Sequence, residues 1–107
     1  MSITNRNINF DENCLELLKK IPEGKVTTYK AIANYFDSKA YRRVGQAMKN
    51  NKNAPIIPCH RVVGHDGEIG GYAFGVEKKI TLLKAEGVEI TNGKVKKNFI
   101  IFDLTGL

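Results

Sequence analysis

Apolar positions in this chain recur with two periods, and the places where one gives way to the other outline its elements. From Asn9 to Ile21, "NFDENCLELLKKI" puts Phe10, Cys14, Leu17, Leu18 and Ile21 on one helical stripe. Acidic residues come early and Lys19 and Lys20 late, as a helix dipole prefers. Asn9 and Glu12 have the spacing of a capping box, although that box normally begins with Ser or Thr. "PEGKVTT" then breaks the pattern and offers a short extended piece. A second helix, "TYKAIANYF", starts with Thr28 as its cap and buries Ala31, Ile32 and either Tyr35 or Phe36. After the polar turn "DSK", a third helix is expected from Ala40 to Asn50. It turns Val44, Ala47 and Met48 inward and points Arg42, Arg43, Gln46 and Lys49 elsewhere. Gly45 costs that helix about 1 kcal/mol relative to alanine, which suggests the close approach of another backbone.

The second half reads differently. "NNKNAPIIPCHRVVGHDGEIGGYAFG" opens polar, passes a short apolar strand candidate "PIIP" and ends in a Gly-rich loop around Asp66-Gly67 and Gly70-Gly71. Val76 to Glu86 is again helical, with Ile80 and Leu83 inward and Gly87 as its C-cap. Asn92-Gly93, between two β-prone runs, is a strong hairpin signal. The sum is an α/β chain, mainly α. Its second and third helices have the outline of a helix-turn-helix, which alone is common in proteins that never meet DNA.

Composition narrows the class. The chain has 107 residues, the size of one domain, and its 42% apolar and 26% charged residues are those of a globular protein. No apolar run approaches the roughly 18 residues of a spanning helix, and the N-terminus lacks the apolar block of a signal peptide. A cytoplasmic protein that does not engage membranes is the expectation. Seventeen cationic side chains against eleven acidic ones give a formal charge of +6, which favours a polyanionic partner. Cys14 and Cys59 belong to no CxxC pair, and with His60 and His65 they follow none of the usual zinc spacings, so no metal is expected. Cys14 lies on an apolar stripe and reads as a small buried hydrophobe.

Cys59 is the chemical question. In "PCHRVVG" a thiol, an imidazole and a guanidinium occupy consecutive positions. A free thiol with a pKa near ~8.5 is mostly protonated at neutral pH, so a nucleophilic cysteine needs a base, and the base an orienting partner. Neighbouring side chains diverge, which makes a bridging water between Cys59 and His60 more plausible than direct contact. Glu86 and Asp66 are the carboxylates near enough in sequence to hold the imidazole, and spacing does not choose between them.

"PCHRVVG" resembles the active-site motif of the O6-alkylguanine-DNA alkyltransferases, suicidal DNA repair proteins. The likeness continues in register from about Phe10 to Gly87. "GKVTTYKAIA" resembles the segment before that family's first DNA-binding helix and "YRRVGQAM" its recognition helix. "GGYAFG" resembles its active-site loop, and "LLKAEG" the helix carrying its catalytic glutamate. The resemblance implies that Cys59 accepts the alkyl group, that His60 reaches the thiol through a water and that Glu86, rather than Asp66, stands behind His60. It makes Tyr29 the tyrosine that bonds guanine N3 and crowds the phosphate backbone, and Arg42 the finger that replaces the extruded base. Arg43 and Gln46 share the DNA face with it. Asn51 becomes the hinge between recognition helix and active-site strand. The carbonyls of Cys59 and Val62 would receive the guanine amino group, and the Ala73 amide would face O6, with Tyr72 and Phe74 in the same loop. Arg61 looks like scaffold.

The implied protein is a single domain over residues 1–107, winged-helix-like, with a helix-turn-helix and a small β wing, lacking the N-terminal domain of larger family members. It would work as a monomer without cofactor, on the minor groove of double-stranded DNA with O6-alkylguanine flipped out; O4-alkylthymine is a candidate second substrate. Alkyltransferase-like proteins are similarly short but typically carry Trp or Ala at the position of Cys59. The rivals are such a lesion-binding protein without transfer, a DNA-binding regulator with a vestigial site, and a turning-over cysteine hydrolase. Two positions sharpen the reading. A bulky Phe74 should narrow the pocket and slow reaction with O6-benzylguanine relative to O6-methylguanine. Arg43, where the family often has a small residue, would either add a phosphate contact or hinder approach to the minor groove.

Overall fold

Thr28 shows how this sequence starts its elements. It ends an extended segment with φ −120° and its hydroxyl accepts the Ala31 N–H at 2.9 Å, so strand β1 (Val26–Thr28) runs directly into helix α2 (Tyr29–Tyr35). The computed structural model of the chain describes residues 6–52, 54 and 56–107, with side chains from Phe10 onward. Helix α1 (Arg6–Leu18) precedes this junction and α3 (Tyr41–Lys49) follows it. Next come a 3₁₀ turn (Cys59–Arg61), strand β2 (Val62–Val63), helix α4 (Val76–Ala85), the hairpin β3 (Ile90–Thr91) and β4 (Lys94–Val95), and β5 (Ile100–Ile101).

Helix α3 packs on α1 and α2, forming the helix-turn-helix with the latter. The strands β2, β1 and β5 make a small parallel sheet in that order, Thr27 standing opposite Val62 and Ile101. That sheet divides two cores, because successive strand residues face opposite sides. Val62 joins the helical core of Cys14, Leu18, Ile32, Val44 and Leu104, while Val63 joins Val26, Leu83, Val95 and Ile100. The hairpin is the small wing, turned by Asn92 and Gly93 with φ of 54° and 77°. It leans on the Gly-rich loop at Gly67, where a Cβ would lie 2.5 Å from the Val95 carbonyl. The architecture is the expected α/β single unit, mainly helical. Among the described residues no helix is long and apolar enough to cross a membrane.

Several expectations change. The first helix starts at Arg6, so Asn9 lies inside it rather than at a cap, and Ile21 is buried beyond its end. Of Tyr35 and Phe36, the half-buried Phe36 packs inward while Tyr35 is exposed, and Ala33 joins the core. The "PIIP" strand does not form: Pro55 lies outside the described residues, Ile56 is exposed in a turn, and Pro58, lacking an N–H for a ladder, leads into the 3₁₀ turn instead. The strand follows the cysteine rather than preceding it. Among the described residues Gly45 meets no other backbone, since a Cβ there would find nothing within 4 Å. Its open side is the exposed side of α3.

Candidate active site and nucleic-acid face

The 3₁₀ turn places three consecutive side chains in three environments. Its tightness comes from backbone bonds: the Cys59 N–H donates to the Ile57 carbonyl at 2.8 Å, and the Val62 N–H returns to the Cys59 carbonyl. Asn51, just past α3, donates its side-chain amide to the same Ile57 carbonyl at 2.8 Å, tying the end of α3 to the turn. Cys59 is buried at the wall of a cavity of about 430 Å³ lined by Tyr29, Met48, Lys49, Gly71, Tyr72 and Ala73.

His60 points the other way, into the protein. Its Nε2 lies 2.9 Å from Glu86 Oε2, and Glu86 is gripped by Arg61, with Nε on Oε1 at 2.9 Å and an Nη on Oε2 at 2.8 Å. Arg61 also donates to the Ile21 carbonyl at 2.8 Å, so one guanidinium joins the segment after α1 to the end of α4. Burial pushes the Glu86 carboxyl up, but the hydrogen bonds from Arg61 and His60 outweigh it and hold its pKa below the usual range. Glu86 is therefore an anion and must accept from His60. Burial pulls the His60 imidazole below its ordinary pKa despite Glu86, so the ring is neutral at pH 7. A neutral ring that donates from Nε2 carries its lone pair on Nδ1, which is buried and has no hydrogen-bond partner among the described residues. The result is an oriented, unoccupied base beside a cysteine.

Tyr29, the first residue of α2, stands across the cavity. Burial, then the nearby Cys59, raises its hydroxyl pKa, which keeps it a neutral donor. The Tyr72 ring meets His60 edge-on at 6.3 Å, and its hydroxyl is buried without a partner among the described residues. Phe74 leans edge-on against Tyr72 at 5.6 Å and is 60% exposed, which sets it outside the cavity wall. Asp66 is exposed and pairs with Lys94, away from His60. Arg42 and Gln46 are exposed on α3. Arg43 folds back onto α1 instead, 2.8 Å from Asp11 and 5.4 Å above the Phe10 ring.

Residues 9–88 match the family model of the DNA-binding domain of 6-O-methylguanine DNA methyltransferase. The chain belongs to this family. A methylated-DNA–protein-cysteine methyltransferase of Methanosarcina barkeri is 47% identical over 79 residues, covering 73% of this chain and 50% of that protein. A bifunctional methyltransferase/endonuclease of Picrophilus torridus is 44% identical over 80 residues, 74% of this chain and 27% of its own. The chain thus spans half or less of the length of these two relatives. Among solved structures, the O6-methylguanine-DNA methyltransferase of Pyrococcus kodakaraensis superposes with a TM-score of 0.68 at 45% identity, over 74% of this chain and 46% of that one. Schizosaccharomyces pombe Atl1, bound to damaged DNA containing O6-carboxymethylguanine, superposes with a TM-score of 0.75 at 31% identity, over 88% of this chain and 95% of its own.

One residue of this methyltransferase-family domain escaped the sequence reading. Lys79 is wholly buried, and its Nζ donates to the carbonyls of Val62 at 2.7 Å and Gly71 at 3.1 Å. The signal was present, since Lys79 sits four residues before Leu83, on the helix's inward stripe. Met48 and Lys49, which line the cavity, had no comparable signal.

Proposed function

We propose that the protein repairs DNA by moving the alkyl group of O6-alkylguanine irreversibly onto its own Cys59, once per molecule. The observation that supports this most is the relay itself: Arg61 holds Glu86 ionised, Glu86 orients a neutral His60, and Cys59 faces a cavity with Tyr29 opposite. The thiol proton passes, through a bridging water, to His60 Nδ1. The sulfur attacks the alkyl carbon in line, an S–C bond forms as the C–O6 bond breaks, and the electron pair moves into the purine. The guanine anion recovers a proton and leaves neutral, the His60 imidazolium giving up the one it took from the thiol, by way of water, so the proton balance closes. Tyr29 and the Ala73 amide stabilise charge developing on the purine, where a donor matters most. The target lies inside a duplex and must be flipped, at a cost of a few kcal/mol. Arg42, exposed on α3, is the side chain offered to the vacated stack, with Gln46 beside it, while Asn51 acts as the hinge that ties the end of α3 to the cysteine turn. Val62 contributes its carbonyl to the guanine edge. The protein acts as a monomer on double-stranded DNA in the cytoplasm.

A second reading has its own support: Atl1, matched over nearly its whole length, was solved on damaged DNA. A lesion-binding protein of that kind would use the same α3 face and leave the thiol idle. Intact mass after incubation with a duplex holding one O6-methylguanine separates the two. One added methyl on Cys59, saturating at one per molecule and absent in Cys59→Ala, establishes transfer. Selective lesion binding with unchanged mass assigns the protein to the second class.

A further inference from the structure

Lys79 has no part in the relay, yet among the described residues it is the largest side chain that is fully buried. Its setting is unfavourable in three ways. The ammonium is removed from water, it stands one turn into α4 near the positive end of the helix dipole, and no carboxylate of the described residues pairs with it. A leucine would complete the apolar stripe without these costs. What the lysine provides is a reach between two segments that otherwise share no bond: β2, immediately after the cysteine turn, and the loop that carries Gly71, Tyr72 and Ala73 along the cavity wall. Gly70 is shaped for it. With φ at +73°, a Cβ there would lie 3.3 Å from the Tyr29 hydroxyl and 3.7 Å from Lys79 Nζ.

We propose that Lys79 is a positioning residue whose ammonium clamps the Val62 carbonyl to the Gly71 carbonyl, fixing the width of the cavity where a flipped base meets the Cys59 sulfur. The clamp acts through backbone, so it touches neither alkyl group nor purine. It holds the loop at the distance the in-line displacement requires, and it occupies one lone pair of the Val62 carbonyl while leaving the other free for a substrate donor. Its kinetic consequence rests on the transfer reading above; its structural consequence does not.

The test uses the full chain with Lys79→Met, which keeps the length and removes every donor, and Lys79→Gln, which restores an N–H donor. Amide exchange across residues 69–75, affinity for undamaged duplex, and the single-turnover rate on an O6-methylguanine duplex are measured together. In Lys79→Met the loop is expected to exchange at least tenfold faster and transfer to slow at least tenfold, with duplex affinity unchanged; Lys79→Gln should recover part of both losses. Unchanged loop exchange in Lys79→Met overturns the proposal. So does wild-type transfer by that variant, or a fall in duplex affinity matching the fall in rate, which would mark a general structural role. If the wild-type protein transfers nothing, the proposed function fails on its own account, and the exchange measurement still decides the clamp.

Discussion

The cysteine turn and helix α3 sit side by side, and they are finished to different degrees. The charges behind the turn are closed within the chain: Arg61 on Glu86 and Ile21, Glu86 on His60, Asn51 on Ile57. On α3 the inward face is equally complete, with Val44, Ala47 and Met48 buried, but Arg42 and Gln46 stand in solvent and the side of Gly45 is open. The difference teaches where each kind of function has to be prepared. A base must be oriented and desolvated before substrate arrives, or reorganisation consumes the gain. A phosphate-tracking face works best left solvated until its partner closes it.

Breaking the turn should therefore cost both stability and chemistry. Glu86→Ala leaves Arg61 with only the Ile21 carbonyl as acceptor among the described residues and removes the acceptor that fixes the His60 tautomer. Losing one partner of such a buried pair should destabilise by about 3 kcal/mol in urea unfolding, and transfer should slow on the order of 100-fold or more in single turnover. Arg42→Ala makes the contrast. Exposed, and with no hydrogen bond or ion pair among the described residues, it should leave unfolding within about 0.5 kcal/mol of wild type while weakening selective binding of the lesion duplex. Equal unfolding losses in the two variants would erase the distinction between the regions.

The sequence made this distinction partly visible. Thr28 as a cap, the Asn92-Gly93 turn and the α3 stripe were legible because each is set by local chemistry. Residue types also pointed to Cys59, His60 and a carboxylate, but spacing did not choose between Glu86 and Asp66, since twenty-six residues separate His60 from its acceptor; the family resemblance named Glu86, and the tertiary placement agrees. The parallel pairing of β1 with β2 and β5 was illegible for the same reason, as strands of two or three residues carry no period to read. Gly45 misled because a glycine's missing side chain does not say whose backbone it admits.

Behind the turn, the buried titratable groups give opposite pH signatures. Lys79 is pulled from 10.5 to about 8 by burial, against a smaller upward pull from Cys59. Between those values the unfolded chain holds a proton that the folded chain has released, so stability rises with pH. Relative to Lys79→Met, the wild type should gain about 3 kcal/mol as pH goes from below 8 to above 10.5. Burial, reinforced by Asp11, pushes Cys14 in the helical core from 9.0 to about 11. There the folded chain keeps the proton, and stability falls with pH from 9 upward, a fall that Cys14→Ala should remove. Urea titrations at pH 7.5, 9 and 10.5 separate the two; a flat difference between wild type and Lys79→Met would mean that the buried lysine keeps its ordinary pKa and stays charged across this range.

His60 gives a smaller effect, confined to acid. Its folded pKa lies below the ordinary 6.5, mainly through burial. The neutral ring, and with it the transfer rate, should persist down through pH 6.5 and decline only below it. Stability should begin to fall near 6.5, where the unfolded chain first takes up the proton, and continue to fall until the folded ring is also protonated. A rate that already halves at pH 7 would mean that the Glu86 carboxylate outweighs burial and raises the His60 pKa above its ordinary value.

The smallest effect probes the one side chain that crosses between the regions' logics. Arg43 lies on the outward half of α3, yet it is spent on Asp11 and Phe10. The pair is only partly exposed, so removing it should change stability by about 1 kcal/mol, the upper end for a surface pair. Its effect on DNA binding depends on which anion holds the guanidinium. While Asp11 holds it, Arg43→Ala should leave the salt dependence of duplex binding nearly unchanged. Asp11→Asn frees the guanidinium for a phosphate, and the slope of log affinity against log salt should steepen by about 0.9. In Asp11→Asn, adding Arg43→Ala should return the slope to its wild-type value. A shallower slope in Arg43→Ala alone would show that a phosphate already outcompetes Asp11, and that Arg43 belongs with Arg42 on the open face rather than with the closed framework behind it.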